Sequence, residues 1–570
     1  MRLGLKLVGA LMVMALIPTG LESAFAEGET AAPASSATPA EQSQSPSATD
    51  AMAEGTALPN QAEEPTATGE PSTAEETTAT GEPSASGEPS ASEEPSASEE
   101  PSATGDPSAS GEPTAAPSPT VAGQESAVPS ATVPTGGIAA AELTYRPKCD
   151  RLPAYGLGEP VALGQAPDRL GWVPVEGTVF GDPNTTAGAW AVVNQMLHAL
   201  QTAEAGTNVR IAMYSNTRME AASAIVRAYC RGVNIRYVTD DHGMSFQASK
   251  LVKAFLSQGP TGSSFKACYL SCSSNFTWRK RRLRVVTTIN PRYRPYMHAK
   301  YLTFDNLAGV PHVSMLSSGN FTATQMWSGW NNVYTAVKDK TTYDFLNNRF
   351  NEMVKDSSGN DYAVKASYAA PTKVTYFFPR GVKNPRSSKQ TVTSKTDPYA
   401  HFLDKIKCTG MAAGYGNSKR RTEVLVSMYQ WTSARLYLAR RLKALKNRGC
   451  DVRVLMSAGE WDLEVMPILR RKSRYGNIPI RNGDRGDNFI HSKFIIVNGR
   501  VGANTKAKMV WTGSGNFTKS SLRFSNETSI LITGNLAYSQ FKAHWNKLWS
   551  SKYSKPITKL KKKKTVRADP

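Results

Sequence analysis

The sequence predicts an α/β protein of two similar sandwich lobes behind a disordered N-terminal linker, and three observations predict it. Composition changes abruptly near residue 141, from an acidic stretch rich in Pro, Ser, Thr and Glu to a basic one that contains aromatics. Residues 142–570 are too many for one compact core and suit two domains or two fused lobes. Within them, short apolar strands alternate with amphipathic helices, and the series is written twice.

At the N-terminus, Arg2 and Lys6 flank an apolar run from Leu7 to Leu21, and Ala24-Phe25-Ala26 precedes Glu27. That order is the pattern of a signal peptide, residues 1–26, cleaved after Ala26. The run is broken by Pro18 and falls below the ~20 residues that span a bilayer. A secreted, extracellular protein is expected, associated with the cell wall if the linker threads it.

The linker, residues 27–141, carries a six-residue repeat marked by Pro83, Pro89, Pro95, Pro101, Pro107 and Pro113. It has too little apolar surface to offset its chain entropy and is expected to be disordered, stiffened by proline into a stalk or a solubilising tail. It holds 19 acidic residues and no Lys or Arg, whereas residues 142–570 hold 65 basic and 27 acidic ones, a net +38 against +20 for the whole chain. Such a field gathers anionic partners, phospholipid surfaces and nucleic acids alike. No protein partner follows from it, and the chain reads as a monomer with an internal pseudo-twofold repeat.

All six cysteines lie after residue 141. An even count in an exported chain implies up to three disulfides, with fifteen pairings open. Cys268 and Cys272 can close a small loop; a zinc site is the alternative, but no neighbouring His or Cys pair completes a ligand set.

The expected lobes are residues 142–375 and 376–553, followed by a basic tail, 554–570, whose lysine run reads as a frayed, solvated end. Asn208-Val-Arg-Ile-Ala-Met-Tyr214 is echoed by Glu423-Val-Leu-Val-Ser-Met-Tyr429, and Arg231-Gly-Val-Asn-Ile-Arg236 by Arg448-Gly-Cys-Asp-Val-Arg453. Each half therefore reads as strand, helix, basic-Gly turn, strand. The second helix is expected from Ser433 to Asn447, with Leu436, Leu438, Leu442 and Leu445 on one stripe and Arg440, Arg441, Lys443 and Lys446 in solvent. Gly449 suits its C-terminal cap. The first lobe has an extra segment, Gly243 to Ile289, with the basic run Trp278 to Arg284; it reads as a solvated loop, with a substrate-facing patch as the alternative.

Each half also carries His-x-Lys followed after four residues by an Asp or Asn, as His298-Ala-Lys300 with Asp305 and His491-Ser-Lys493 with Asn498. Residues two apart on a strand share a face, so each His projects beside a cation. A second strand follows, ending Ser318-Gly319-Asn320-Phe321-Thr322 and Ser514-Gly515-Asn516-Phe517-Thr518, with His-to-Asn separations of 22 and 25 residues. The chain has only seven histidines, and two of them occupy equivalent places in a duplicated frame.

At these residues the sequence resembles the phospholipase D superfamily, marked by two His-x-Lys-x4-Asp motifs, and the resemblance spans most of residues 180–550. It implies two α/β sandwich lobes with one active site at their interface, working without metal or other cofactor. It further implies that one histidine attacks phosphorus while the other protonates the leaving alcohol and then activates water. Lys300, Lys493, Asn320 and Asn516 would bind the phosphoryl oxygens, with Ser318 and Ser514 as supporting donors. The chemistry agrees, because cations and amides must neutralise charge moving onto the nonbridging oxygens, and a neutral imidazole is a competent nucleophile.

Asn526-Glu527-Thr-Ser-Ile-Leu-Ile resembles the family segment whose carboxylate bonds the far nitrogen of a catalytic imidazole. The first lobe has Asn331-Asn332-Val-Tyr-Thr-Ala-Val, with amides instead. A carboxylate stabilises imidazolium far more than an amide does. Glu527 is therefore expected behind His491 as general acid, with His298 as nucleophile. Asn498 departs from the motif at a position off the His-Lys face.

Phospholipid hydrolysis to phosphatidic acid and a free alcohol is the first expectation. Tyr293, Tyr296, Trp327 and Trp330, beside basic residues, suit a membrane interface. They also suit stacking on single-stranded nucleic acid, and more often than either such rings are simply core, so a secreted nuclease of the same superfamily is the rival reading. A non-catalytic protein that tethers anionic surfaces is the third, and the intact motif residues oppose it.

Overall fold

The computed structural model describes residues 145–257, 262–268, 271–272, 295–356, 367–369, 372–378, 393–457, 461 and 464–557. The expected signal peptide, the linker, the run Trp278 to Arg284, Tyr293 and the lysine run of the tail lie outside them.

The first lobe is built on β1 (Gly177–Phe180), β2 (Asn208–Met213), β3 (Asn234–Asp240), β4 (Ser264–Cys268), β5 (Lys300–Leu307), β6 (Val310–Ser317) and β8 (Asn332–Ala336), in the order β1-β8-β6-β5-β2-β3-β4. A short β7 (Gly329–Trp330) stands apart from this sheet. The second lobe holds β9 (Ser367–Ala369), β10 (Lys373–Phe378), β11 (Ile406–Lys407), β12 (Glu423–Met428), β13 (Asp451–Met456), β14 (Ile480–Asn482), β15 (Phe489–Ile490), β16 (Phe494–Val501), β17 (Asn504–Gly513), β18 (Glu527–Thr533) and β19 (Lys555–Pro556). Its central order, β14-β13-β12-β16-β17-β18-β10, repeats β4-β3-β2-β5-β6-β8-β1 strand for strand.

β10 straddles the expected boundary at 375/376. It pairs antiparallel with β18 and with β9, so both strands belong to the second sheet. The segment from Gly243 is likewise more regular than a loop. Its first part is a helix, Gln247–Leu256, and the edge strand β4, matching the helix Val465–Arg470 and β14 of the second lobe.

Strand alternation divides the apolar residues between two layers. Ile211, Leu302 and Phe304 face outward with Val192, Met196 and Ile225 of the helices Thr186–Thr202 and Met219–Arg231. Ala212 and Tyr301 face inward and share a core with Leu425, Phe494 and Ile496 of the other sheet. Between the sheets lie Leu346 and Phe350 of the helix Lys340–Lys355 and Phe541 and Trp545 of the helix Asn535–Trp549. His544 is buried in this layer and stacks on Phe180 at 4.2 Å.

The helix expected from Ser433 begins as a 3-10 turn, Ser433–Arg435, and runs as α-helix over Leu436–Asn447. Leu438, Leu442 and Leu445 are buried as expected, but so is Lys443, at 7% exposure, instead of reaching solvent. Gly232 and Gly449 follow the two repeat helices at φ +114° and +92°, a conformation only glycine adopts cheaply. The cysteines pair as Cys149–Cys230, Cys268–Cys272 and Cys408–Cys450. Among the described residues, no helix is long and apolar enough to cross a membrane.

Candidate active site

The two lobes are stitched by backbone at the ends of the sheets that carry the histidines. β15 pairs in parallel with β7, and the His491 and Ser492 amides both donate to the Trp330 carbonyl, at 3.2 and 2.7 Å. In the other direction Met297 bridges Asn526, whose amide donates to the Tyr296 carbonyl at 2.8 Å. Each histidine therefore enters the seam alongside the opposite lobe's segment leading into β8 or β18.

This crossing decides what stands behind each imidazole. His298 Nδ1 lies 2.9 Å from both carboxylate oxygens of Glu527, and His491 Nδ1 lies 2.8 Å from Asn331 Oδ1. The expected pairing of Glu527 with His491 is thus overturned, because the partner of each histidine comes from the other lobe. The counterpart of Glu527 is also fixed as Asn331, not Asn332, since the Ser318 amide donates to the Asn332 carbonyl as the Ser514 amide does to that of Thr528. Asn331 Nδ2 donates to the Gln325 carbonyl at 2.8 Å, which turns its oxygen toward His491. With acceptors behind both rings, Nδ1 carries hydrogen in each and Nε2 is the atom left for chemistry.

Ser318 and Ser514, expected as donors to the substrate, are spent elsewhere. Both are fully buried, and their hydroxyls donate to Asn331 Oδ1 (3.0 Å) and to the Glu527 carboxylate. They orient the groups behind the histidines, one step removed from a bound phosphate. Lys300 and Lys493 sit beside their histidines as the two-residue spacing requires. Lys300 Nζ donates to the His298 carbonyl at 2.7 Å, and Lys493 Nζ lies 3.2 Å from His491 Nε2. Asn320 and Asn516 are buried in the turns after β6 and β17. The Gln325 side chain holds the Asn320 amide nitrogen of the backbone at 2.6 Å, and Ser521 Oγ does so for Asn516 at 3.2 Å. Among the described residues neither side-chain amide atom of Asn320 has a hydrogen-bond partner, whereas Asn516 Oδ1 accepts from the Gln430 backbone.

The family described as "Cardiolipin synthase, PLD-like domain" matches residues 196–354 and 417–549, together just over half of the chain and one match per lobe. The chain belongs to the phospholipase D superfamily. No curated protein matches the sequence. Similar solved structures include polyphosphate kinase from Porphyromonas gingivalis (12% identity, TM-score 0.39, 65% of this chain), of whose length the chain spans about half (49%). Phosphatidylserine synthase from Haemophilus influenzae is also similar (11% identity, TM-score 0.42, 73% of this chain and 94% of that one). So is yeast tyrosyl-DNA phosphodiesterase (12% identity, TM-score 0.35, 63% and 90%).

In this phospholipase D superfamily member, the motif acid Asp305 stands away from the seam, where it accepts from the Asn208 amide (2.8 Å) at the start of β2. Asn498 instead exchanges hydrogen bonds with the backbone of Gly416, in the loop before β12. Sequence reasoning missed Tyr214 and Tyr429, although both close the echoed strands β2 and β12. Their rings lie 5.3 Å from His298 and 4.8 Å from His491, under Lys300 and Lys493 at 5.2 and 5.1 Å. The repeated Met-Tyr was the signal. Asp240 was missed too: buried at the end of β3, it accepts from the Met297 amide at 2.8 Å and so fixes the backbone before His298. Burial, with Asp241 beside it, pushes its carboxyl well up from the usual carboxylate range. Arg435 is a fourth, pairing with buried Asp397 at 2.7 Å while donating to the Asn516 carbonyl at 2.8 Å.

Of the aromatics near the motifs, Tyr296 stands edge-on to Tyr214 at 5.7 Å and Trp327 is 42% exposed. Trp330 is core, buried against Tyr553 and His544.

Proposed function

We propose that the chain is a secreted, monomeric phosphodiesterase that hydrolyses phospholipid to phosphatidic acid and a free alcohol through a phosphohistidine on His298. The observation that carries this reading is the pair of buried imidazoles at one seam, each with Nδ1 held from the opposite lobe and a lysine beside it.

The two partners suit two roles. When His298 Nε2 attacks phosphorus, the ring becomes cationic and stays so until the intermediate is hydrolysed, and the Glu527 carboxylate stabilises that charge throughout. His491 must give a proton to the leaving oxygen and then take one from water, so a neutral amide behind it serves both half-reactions. In the first step the phosphorus–oxygen bond to the alcohol breaks as the phosphorus–nitrogen bond forms, and His491 protonates the alkoxide. In the second, water attacks phosphorus, its proton passes to His491, and His298 departs with its lone pair restored. Lys300, Lys493, Asn320 and Asn516 neutralise the nonbridging oxygens. The unpartnered, buried amide of Asn320 supports this role, since such a group costs stability unless a ligand satisfies it.

For the substrate, the matching family's description as a cardiolipin synthase domain and the exposed Trp327 beside the Asn320 turn support a lipid. The test incubates the mature chain, in EDTA, with phosphatidylcholine and phosphatidylglycerol vesicles and, separately, with plasmid DNA and RNA. Phosphatidic acid release supports the reading; nucleic-acid cleavage with lipid intact replaces it with the nuclease. Recovery of the processed chain from the culture medium tests secretion.

A further inference from the structure

We propose that the second lobe carries an anion site for a linear, phosphate-rich polymer on its outer helical layer, at the end of the sheet away from the histidines. Its centre is Lys443, on the helix Leu436–Asn447, which packs against the helix Val465–Arg470; this side chain is more than nine-tenths shielded from water and its Nζ has no hydrogen-bond partner among the described residues. Burial and the neighbouring cations Arg471 and Lys446 lower its pKa from the usual lysine value. An ammonium shielded from water without a hydrogen bond and set among further cations is an unfavourable arrangement for the protein alone. A bound anion relieves both the missing hydrogen bond and the repulsion.

The surroundings supply further positive charge. Arg470, Arg471, Lys472 and Arg474 are exposed where the second helix ends, and none of them has a carboxylate partner among the described residues. Arg440, exposed one turn before Lys443, is likewise unpaired. Two carboxylates of this lobe are already engaged, Asp404 by Arg441 at 2.8 Å and Asp451 by Arg453 at 2.7 Å. Tyr475, 42% exposed, lies under the Arg421 and Arg474 guanidiniums at 5.5 and 5.8 Å. Arg421 and Arg448 precede β12 and β13, and Tyr429 follows β12 at the histidine end, so about 20 Å of strand separates the patch from the seam. A flat membrane resting on the patch would face away from the histidines, which favours a flexible polymer over a bilayer as the occupant.

The experiment measures binding of linear polyphosphate and of phosphatidylglycerol vesicles to the whole chain at about 0.15 M salt, where distant charges are screened. Three forms are compared: wild type, K443M with R471S, and a control, K250E with K253E, which moves more charge on the first lobe. The proposal expects polyphosphate affinity to fall at least tenfold in the Lys443 variant and less than threefold in the control. Turnover of a small soluble phosphodiester should be unchanged in all three, which also shows that each is folded. Equal losses in both variants would mean that only overall charge binds the polymer, and preferential loss of vesicle binding would assign the site to lipid; either result overturns the proposal.

Discussion

Glu527 meets His298 across the lobe boundary, with both carboxylate oxygens 2.9 Å from Nδ1, while the equivalent place behind His491 is held by the Asn331 amide. Two histidines in a repeated frame are thereby made chemically unequal by one residue. Replacing Glu527 with Gln keeps the shape and removes the charge. Single-turnover cleavage should slow by about 10²- to 10³-fold, with substrate affinity changed less than threefold. A loss confined to affinity would show that Glu527 acts on binding alone.

Asn331→Asp should have the opposite effect on the second half-reaction. A carboxylate behind His491 favours its protonated form and hinders it as the base that activates water. Enzyme quenched in alkaline denaturant, where the phosphorus–nitrogen bond survives, should hold about tenfold more phosphohistidine on His298 than wild type, and the basic limb of the rate profile should move to higher pH.

Ser318→Ala and Ser514→Ala distinguish positioning from phosphate binding. Each removes a buried hydroxyl bonded to the group behind a histidine, at a cost of about 1–3 kcal/mol in stability. Turnover should fall about tenfold at unchanged KM; a rise in KM alone would return both hydroxyls to the substrate.

Acid stability provides a fourth test at His544. Burial first, and then the Lys547 ammonium, hold this imidazole at about 3 against an ordinary 6.5, with Asp182 opposing them weakly. The unfolded chain therefore binds a proton that the folded one refuses between these values. Stability from this group is complete above pH 6.5 and declines as pH falls, by up to about 1.4 kcal/mol per pH unit. His544→Phe should flatten the unfolding free energy over pH 4.5–6.5 relative to wild type, measured by denaturant titration; parallel curves would show that the ring is protonated in the fold.

The disulfides Cys149–Cys230 and Cys408–Cys450 span 81 and 42 residues of sequence. By chain entropy each contributes about 4 kcal/mol. Cys408→Ala with Cys450→Ala should lower Tm clearly, and a reductant should reproduce the drop in wild type.

The sequence carried the two lobes, the His-x-Lys pairs and the Ser-Gly-Asn turns because each is local and written twice. What it could not carry depends on how the lobes meet. Whether Glu527 serves the histidine of its own half or of the other is set by the parallel β7–β15 pairing and the Met297–Asn526 bridge, contacts between residues more than 150 apart. The aim of the Ser318 and Ser514 hydroxyls follows from that same crossing. The boundary at 375 failed for a different reason: β9 and β10 precede the repeated strands in sequence but complete the second sheet by pairing with β18. Of the three readings open to Trp330, the structure selects the core one: its carbonyl holds the His491 amide and its ring is buried between the sheets.

The exchanged partners also mean that, on the proposed chemistry, neither half would work as a smaller enzyme. Expressed alone, the first half would present a nucleophile with nothing to steady its charge, and the second a carboxylate with no ring to serve. Mixing the two pieces should restore what each lacks, so their affinity for one another, more than the integrity of either fragment, would govern the rate.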